Sequence, residues 1–404
     1  MDSISENVKK AIESVIKIEN FTTYPSVTIT SGSLNGDGLT SKTVAVNLKN
    51  DQKSVDVFIK YFPENATSNQ INLFKDIYET ETRFYEKVYP VMVKFQKERK
   101  LRDGFDNVAR YYPCNNVDFN GIAPIALSNL RAVGYGMRDL KEEANQELLV
   151  KVLETYAKLH ATFLAMKDQQ PEVYKSISSE LVDDVAEKFN DVGFYDVIKV
   201  LMKGLIDYLD PKVDKIAIEK LTEFLNNLET FVSDIPKLIT NDYSIITHAD
   251  GWSNNMMFLY NESKRLIDVK ILDWQVYKIS FPGLEATHVF YNALARKKAL
   301  DNVEIYTDAY YNKLKEQVEK LGSDVNKLYP KEVFLAHWKQ FAKYGMMLAI
   351  VTNRVAFMSK DDIVDLVDNK DGKMPIFSVD FKEKDRYFKL LKDLVDHFVQ
   401  NDLF

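Results

Sequence analysis

Apolar and polar positions alternate through the first third of the chain. Pro25 to Thr30 (PSVTIT), Thr43 to Leu48 (TVAVNL) and Ser54 to Tyr61 (SVDVFIKY) carry β-branched residues at alternate positions, which predicts three strands. From about Asn69 to Lys100 the period changes, and Ile71, Phe74, Ile77, Phe84, Tyr85 and Val88 recur at helical spacing. A short apolar run, Ile122 to Leu127 (IAPIAL), leads into a strongly helical region. There Leu149, Val152, Leu153, Tyr156, Leu159, His160 and Phe163 form one stripe. His160 is expected to be a hydrogen-bonded core histidine, since no ligand set surrounds it in the sequence. Helices continue to about Ile239, broken near Pro171, Gly193, Pro211 and Pro236. Strand character returns between Tyr243 and Phe281, in SIIT, MMFLY and LIDVKIL. From about Glu285 to Phe404 the pattern is mostly helical, ending in a face of Tyr387, Leu391, Leu394 and Phe398.

Composition narrows the class. The 404 residues suffice for two or three compact units, and 53 Lys+Arg against 60 Asp+Glu leave a formal charge of −7. That balance, with no dense basic block, argues against a nucleic-acid partner. No run of about 18 uncharged apolar residues is present, so no membrane span is expected. Met1 to Lys10 lacks the apolar segment of a signal peptide, and the single cysteine, Cys114, cannot pair within the chain. These features point to the cytoplasm. Glycine is scarce, at 14 residues, yet Gly32, Gly36 and Gly38 fall together between the first two predicted strands.

The chemistry gathers in HADGWSNN, residues 248–255. A loop between two strands brings His248, Asp250 and Asn255 together, and Asp273 ends the next strand. Two carboxylates and a carboxamide supply hard oxygen ligands for Mg²⁺, which completes its shell with phosphates and water. One acid must stay free to take a proton from an attacking hydroxyl. A catalytic Asp, an Asn five residues later and a second Asp after a strand match the phosphoryl-transfer template. The bland alternative is an Asx-rich turn capping its own backbone. Upstream, Lys60 interrupts an apolar strand, where an unpaired ammonium is costly to bury, and Glu81 on the following helix is its candidate partner. The competing expectation is a snorkelling lysine on an edge strand. The turn Gly36-Asp37-Gly38-Leu39-Thr40-Ser41 could cover phosphates with its backbone N–H groups, or be a plain hairpin turn.

Together these segments resemble a known group. HADGWSNNMMF, with IIT before it and ILDWQ after it, is similar to the catalytic core of choline-kinase-like and ecdysteroid-kinase-like proteins, small-molecule kinases related to aminoglycoside phosphotransferases. The likeness extends to FIKYFP, ETRFY, YAKLHATF and FPGLEATHVF, and so over most of the chain. It implies an α+β, bilobal protein-kinase-like fold. Residues 1–130 would form the N-lobe, an antiparallel sheet plus helix, and residues 131–404 a larger, mostly helical C-lobe. It also implies ATP and Mg²⁺ as cofactors. By position, Asp250 becomes the catalytic base, Asn255 and Asp273 the metal ligands, Lys60 the phosphate contact, Glu81 its support, and Gly36, Gly38 and Ser41 part of the nucleotide-covering loop. His248 would order the catalytic loop. Four positions depart from the family pattern: Ala249 stands for Gly, Trp274 for Phe, Pro282-Gly283-Leu284-Glu285 for Pro-Ala-Leu-Asp, and Ser128-Asn129-Leu130 for Glu-Asp-Leu.

The leading expectation is therefore a Mg-ATP-dependent kinase that phosphorylates an alcohol on a small metabolite, with an ecdysteroid or another hydroxylated apolar compound as candidate acceptor. An acceptor pocket is expected among the helices after Pro171 and near His337 to Thr352, whose apolar residues serve equally well as core. The alternative is a non-catalytic pseudokinase that binds a ligand or partner. Retention of Lys60, Asp250, Asn255 and Asp273 argues against it, while Ala249, Glu285 and Ser128-Asn129 argue for it. A metal-dependent hydrolase is weaker still, for want of a water-activating cluster.

Overall fold

Ser54–Tyr61 forms strand β3, and its alternation decides what faces what. Val57 and Ile59 point to one side, where they join Val46 and Leu48 against Val8, Ala11, Ile12 and Val15 of helix α1 (Glu6–Ile18). Phe58 and Lys60 point to the other side and line a cleft. Helix α1, unmarked in the strand-dominated reading of this region, thus covers the back of the sheet. The computed structural model describes residues 5–32, 41–62, 68–114, 122–181, 185–239, 242–293, 297–358, 377 and 379–404.

The sheet has five antiparallel strands in the order β1 (Ser26–Ser31), β2 (Lys42–Lys49), β3, β5 (Ile125–Ser128), β4 (Tyr111–Tyr112). The three expected strands form within one or two residues of their predicted ends. Two-residue β4 carried no pattern of its own. The helix expected over 69–100 is α2 (Ser68–Arg83) and α3 (Tyr89–Glu98), joined by a π-turn at Phe84–Val88. A π-turn rotates the inward face by one residue, which lets the neighbours Phe84 and Tyr85 both be buried.

The larger lobe is built on helix α4 (Gln146–Gln169), capped by Asn145, whose Oδ1 accepts from Leu148 N at 2.9 Å. Its predicted apolar stripe is buried throughout. After it come α5 (Pro171–Ser178), α6 (Val185–Asp191), α7 (Phe194–Tyr208), α8 (Lys215–Asn226) and α9 (Leu228–Leu238). Two small antiparallel sheets follow: β6 (Ile245–Thr247) with β9 (Lys278–Ser280), and β7 (Met256–Tyr260) with β8 (Leu266–Ile271). The chain ends in α10 (Pro282–Ala293), α11 (Lys297–Leu300), α12 (Val303–Lys320), α13 (Val325–Leu328), α14 (Lys331–Ala356) and α15 (Lys384–Gln400). Helices α10 and α14 cross closely at Gly345, where a Cβ would meet the Thr287 carbonyl oxygen at 2.9 Å. The apolar residues after His337, including Trp338, Phe341, Met346, Met347 and Ile350, are core. The architecture is α+β and bilobal, protein-kinase-like, with a sheet-bearing smaller lobe and a mostly helical larger one.

Candidate active site

The Lys60 ammonium lies 2.7 Å from Glu81 Oε2 and 2.6 Å from Asp273 Oδ1. Strand β3 delivers the lysine, α2 the glutamate, and the end of the β7–β8 hairpin the aspartate. Burial by itself would lower the Lys60 pKa, but the Asp273 and Glu81 carboxylates outweigh it and hold the ammonium well above its ordinary value. The expected alternative, a snorkelling surface lysine, does not occur: Lys60 is 8% exposed.

Asn255 lines the same cleft, and its amide donates to the Asp250 carbonyl at 3.0 Å and to Asp250 Oδ2 at 2.7 Å. This directs the amide nitrogen at Asp250 and leaves Asn255 Oδ1 as the acceptor available to a cation. Asp273 Oδ2 accepts from Gln275 Nε2 at 3.0 Å. Burial first, and the charge of Asp273 second, push the Asp250 carboxyl up to about 7, with the Asn255 hydrogen bond opposing them. Among the described residues no group of three or more His, Cys, Asp or Glu is arranged to hold a metal ion. Asn255 and Asp273 alone make an incomplete donor set. It suits Mg²⁺ only where phosphate oxygens and water supply the remaining ligands.

Two residues here hold left-handed backbone, Ala249 at φ +67° and Asp273 at φ +64°. For a residue with a Cβ that conformation costs about 1–2 kcal/mol. Ala249 therefore adopts the geometry that a glycine would take freely. Two residues on, position 251 is a glycine by necessity, because a Cβ on Gly251 would meet Val289 Cγ2 at 2.5 Å. His248 is fully buried, and burial lowers its pKa, so the ring is neutral. Its Nε2 donates to the Leu272 carbonyl at 2.9 Å, which leaves Nδ1 to accept from the Tyr156 hydroxyl at 3.2 Å. Both ring nitrogens are engaged within the protein, as loop ordering requires.

The departures from the family pattern find physical places. Trp274 stacks face to face on Phe84, with centroids 3.7 Å apart, and sets its ring at 77° to His248. It thereby ties the π-turn that continues the helix bearing Glu81 to the loop at His248. Asn129 caps the 3₁₀ turn Leu130–Val133, accepting from Arg131 N at 3.1 Å, which an aspartate would do equally well. Glu285 accepts from the backbone amides of both His248 and Ala249.

Ser41 is buried and lines the cleft together with Gly32, Thr43, Leu127 and Arg131. Gly36 and Gly38 lie outside the described residues. The structure thus brings together Lys60, Glu81, Asp250, Asn255 and Asp273, with His248 behind them and Ser41 at the side. Sequence reasoning did not anticipate Gln275 on Asp273, or the partners of His160, which are Glu285 and Tyr310. A buried histidine on an apolar stripe signals that a partner exists without saying which. Cys114 is buried and its thiol is pushed up to about 11 by burial, as suits a core residue.

The ecdysteroid kinase-like family model matches residues 35–323. No curated protein matches the chain in sequence. Among solved structures, choline kinase from Cryptosporidium parvum Iowa II is similar at 11% identity, covering 97% of each chain with a TM-score of 0.45. A spectinomycin phosphotransferase in complex with ADP and spectinomycin is similar at 12% identity, covering 97% of this chain and 98% of its own, with a TM-score of 0.39. Plasmodium vivax ethanolamine kinase is similar at 10% identity, covering 94% and 85%, with a TM-score of 0.39.

Proposed function

Because the chain belongs to the ecdysteroid kinase-like family, we propose that it is a Mg- and ATP-dependent kinase that phosphorylates a hydroxyl on a small metabolite. The observation that carries this reading is that Lys60, Glu81, Asp273 and Asn255 line one cleft, with Lys60 bridging the two carboxylates and the Asn255 amide holding Asp250 Oδ2 at 2.7 Å. Residues 1–130 would then be the nucleotide lobe and 131–404 the catalytic lobe. The acceptor is an ecdysteroid or another hydroxylated apolar compound, and the site of action is the cytoplasm.

In this mechanism Asp250 accepts the proton of the acceptor hydroxyl as its oxygen bonds to the γ-phosphorus. The bond from that phosphorus to the β,γ-bridging oxygen breaks, and ADP leaves. Lys60, oriented by Glu81, would hold the α- and β-phosphates, with Ser41 lining the same cleft. Mg²⁺ at Asn255 and Asp273 would supply neutralisation of phosphate charge when bound. The features that favoured a non-catalytic binding module are each accommodated. Ala249 takes the left-handed geometry, Glu285 reaches the loop, and Asn129 caps the interlobe turn.

An ATP-consumption screen against hydroxylated metabolites, including ecdysteroids, choline and glycosides, is expected to find at least one acceptor whose phosphorylation stops in EDTA. Calorimetry showing no metal-dependent ATP binding would overturn the reading. The pH profile gives a second check. A base works deprotonated, so with Asp250 at about 7 in the free enzyme, kcat/KM should fall about tenfold per unit below that pH and level off above it. A cation beside Asp273 offsets the charge that raises Asp250, so the acid limb of kcat should lie at lower pH than that of kcat/KM. A flat profile between pH 5 and 8 contradicts the assignment of Asp250.

A further inference from the structure

A second cavity, separate from the cleft, lies against the π-turn that ends α2. It measures about 560 Å³, and its walls include Tyr85, Tyr89 and Tyr111 together with Glu86 and Asp106. The extra residue of the π-turn lets two successive side chains meet different partners. Phe84 stacks on Trp274, the neighbour of Asp273, with centroids 3.7 Å apart. Tyr85 lines the cavity and stacks on Tyr111, with centroids 5.2 Å apart and planes 12° apart. Tyr85 is 3% exposed, and its hydroxyl has no hydrogen-bond partner among the described residues. A phenol buried in that way costs free energy that a ligand's polar group can recover.

The charge in this cavity is negative. Among the described residues neither the Glu86 nor the Asp106 carboxylate has a cation paired to it, and Glu86 Oε1 accepts from the Tyr111 hydroxyl at 2.9 Å. That charge is felt at the walls. After burial, Asp106 raises the Tyr89 hydroxyl, to about 12, and Glu86 raises that of Tyr111. The cations nearby are engaged elsewhere. Arg110, which also lines the cavity, holds Glu19 Oε1 at 2.7 Å and lies over the Tyr112 ring. Lys270 donates to the Asp106 carbonyl at 2.9 Å and pairs with Asp268 at 3.4 Å.

We propose that this cavity is a second ligand site, for a protonated primary amine with an apolar body, whose occupant bears on the ATP site through the π-turn. An ammonium carries three donors, enough for the two carboxylates and the Tyr85 hydroxyl oxygen, and tyrosine faces attract it as well. The apolar body packs on Tyr89 and Tyr111. The link to ATP rests on the kinase reading of the cleft, whereas the amine site does not.

The probe is phenethylamine, which has no hydroxyl to phosphorylate, set against 3-phenylpropionate, which carries the same ring with the opposite charge. Calorimetry on the full chain near pH 7 is expected to show saturable one-to-one binding of phenethylamine and none of 3-phenylpropionate. Glu86→Gln should weaken that binding about tenfold and Tyr85→Phe about threefold. Glu86 is exposed, so Glu86→Gln should melt as the native chain does. Asp250→Asn, in the cleft, should leave the amine affinity unchanged. Saturating phenethylamine should shift the Mg-ATP dissociation constant at least about threefold, and Mg-ATP should shift that of phenethylamine by the same factor.

No saturable binding, equal binding of 3-phenylpropionate, indifference to Glu86→Gln, or loss of binding in Asp250→Asn each overturns the site. An unchanged Mg-ATP affinity overturns the link. If the native chain binds no Mg-ATP, it is the kinase reading that has failed, and the amine titrations still decide the site. The link is then read from tryptophan fluorescence, which phenethylamine should change in the native chain and leave unaltered in Trp274→Phe. The same change in both chains refutes it.

Discussion

Replacing Asp250 with asparagine is expected to slow ATP-dependent phosphorylation by about 10²–10⁴-fold while leaving the melting temperature at or above that of the native chain. The amide keeps the size and the hydrogen bonding of the carboxylate but cannot take the acceptor's proton. The stability effect follows from the pKa. Burial and Asp273 raise the Asp250 carboxyl to about 7 in the folded state, against an ordinary 3.8. A carboxyl raised on folding favours the fold most at pH below 3.8, and that contribution is lost as pH rises through about 7. At pH 8 the native chain therefore carries an unfavourable buried charge that asparagine removes. Thermal melts at pH 8 and initial rates with a productive acceptor check both halves. Undiminished turnover would remove Asp250 from the mechanism, and a large drop in melting temperature would make it a structural residue.

Lys60→Met should abolish metal-dependent ATP binding and also destabilise the protein by about 3–5 kcal/mol at alkaline pH, because it leaves the buried Glu81 carboxylate without its counter-charge beside a second, half-buried carboxylate, Asp273. Glu81 is 1% exposed, and burial raises its carboxyl to about 7 even with Lys60 opposing. Without the ammonium its folded-state pKa rises further. The deficit should widen as pH rises above about 7 and narrow below it, where Glu81 takes up a proton and sheds its charge. Urea unfolding at pH 6 and pH 8.5 reads the difference. Native-like stability at both values would mean that Lys60 contributes neither charge nor packing.

Much of the candidate site was legible because its residues break a local rule. A lysine inside FIKYF contradicts its apolar surroundings, so a partner had to exist, and Glu81 sat one helical segment away. Asp250 and Asn255 share one loop, so their spacing in sequence is close to their spacing in space. Elements whose apolar period runs for several turns or strand residues, such as β3 and α4, were placed within a few residues for the same reason. The π-turn at Phe84–Val88 was not, because one extra residue per turn is below what the recurrence of a few apolar positions resolves. Strands β4 and β9, two and three residues long, are too short for a period to show. Helix α1 went unmarked among strand-like neighbours.

The buried contacts behind the loop illustrate the other limit. Glu285, His160 and Tyr310 come from three helices and meet only after α4, α10 and α12 have packed. In sequence they were a departure from a pattern, a core histidine and an unremarked tyrosine. By itself the chain determined the α+β class, the residue types of the candidate site and their order, since periodicity and close spacing are local properties that survive without a fold. Only the tertiary structure decided that Lys60 is shared between Glu81 and Asp273, that His248 has no nitrogen free for a substrate, and that Ala249 does what a glycine would do. Those are matters of distance, burial and backbone angle between segments far apart in the chain, and packing fixes them, whereas one-letter spacing does not.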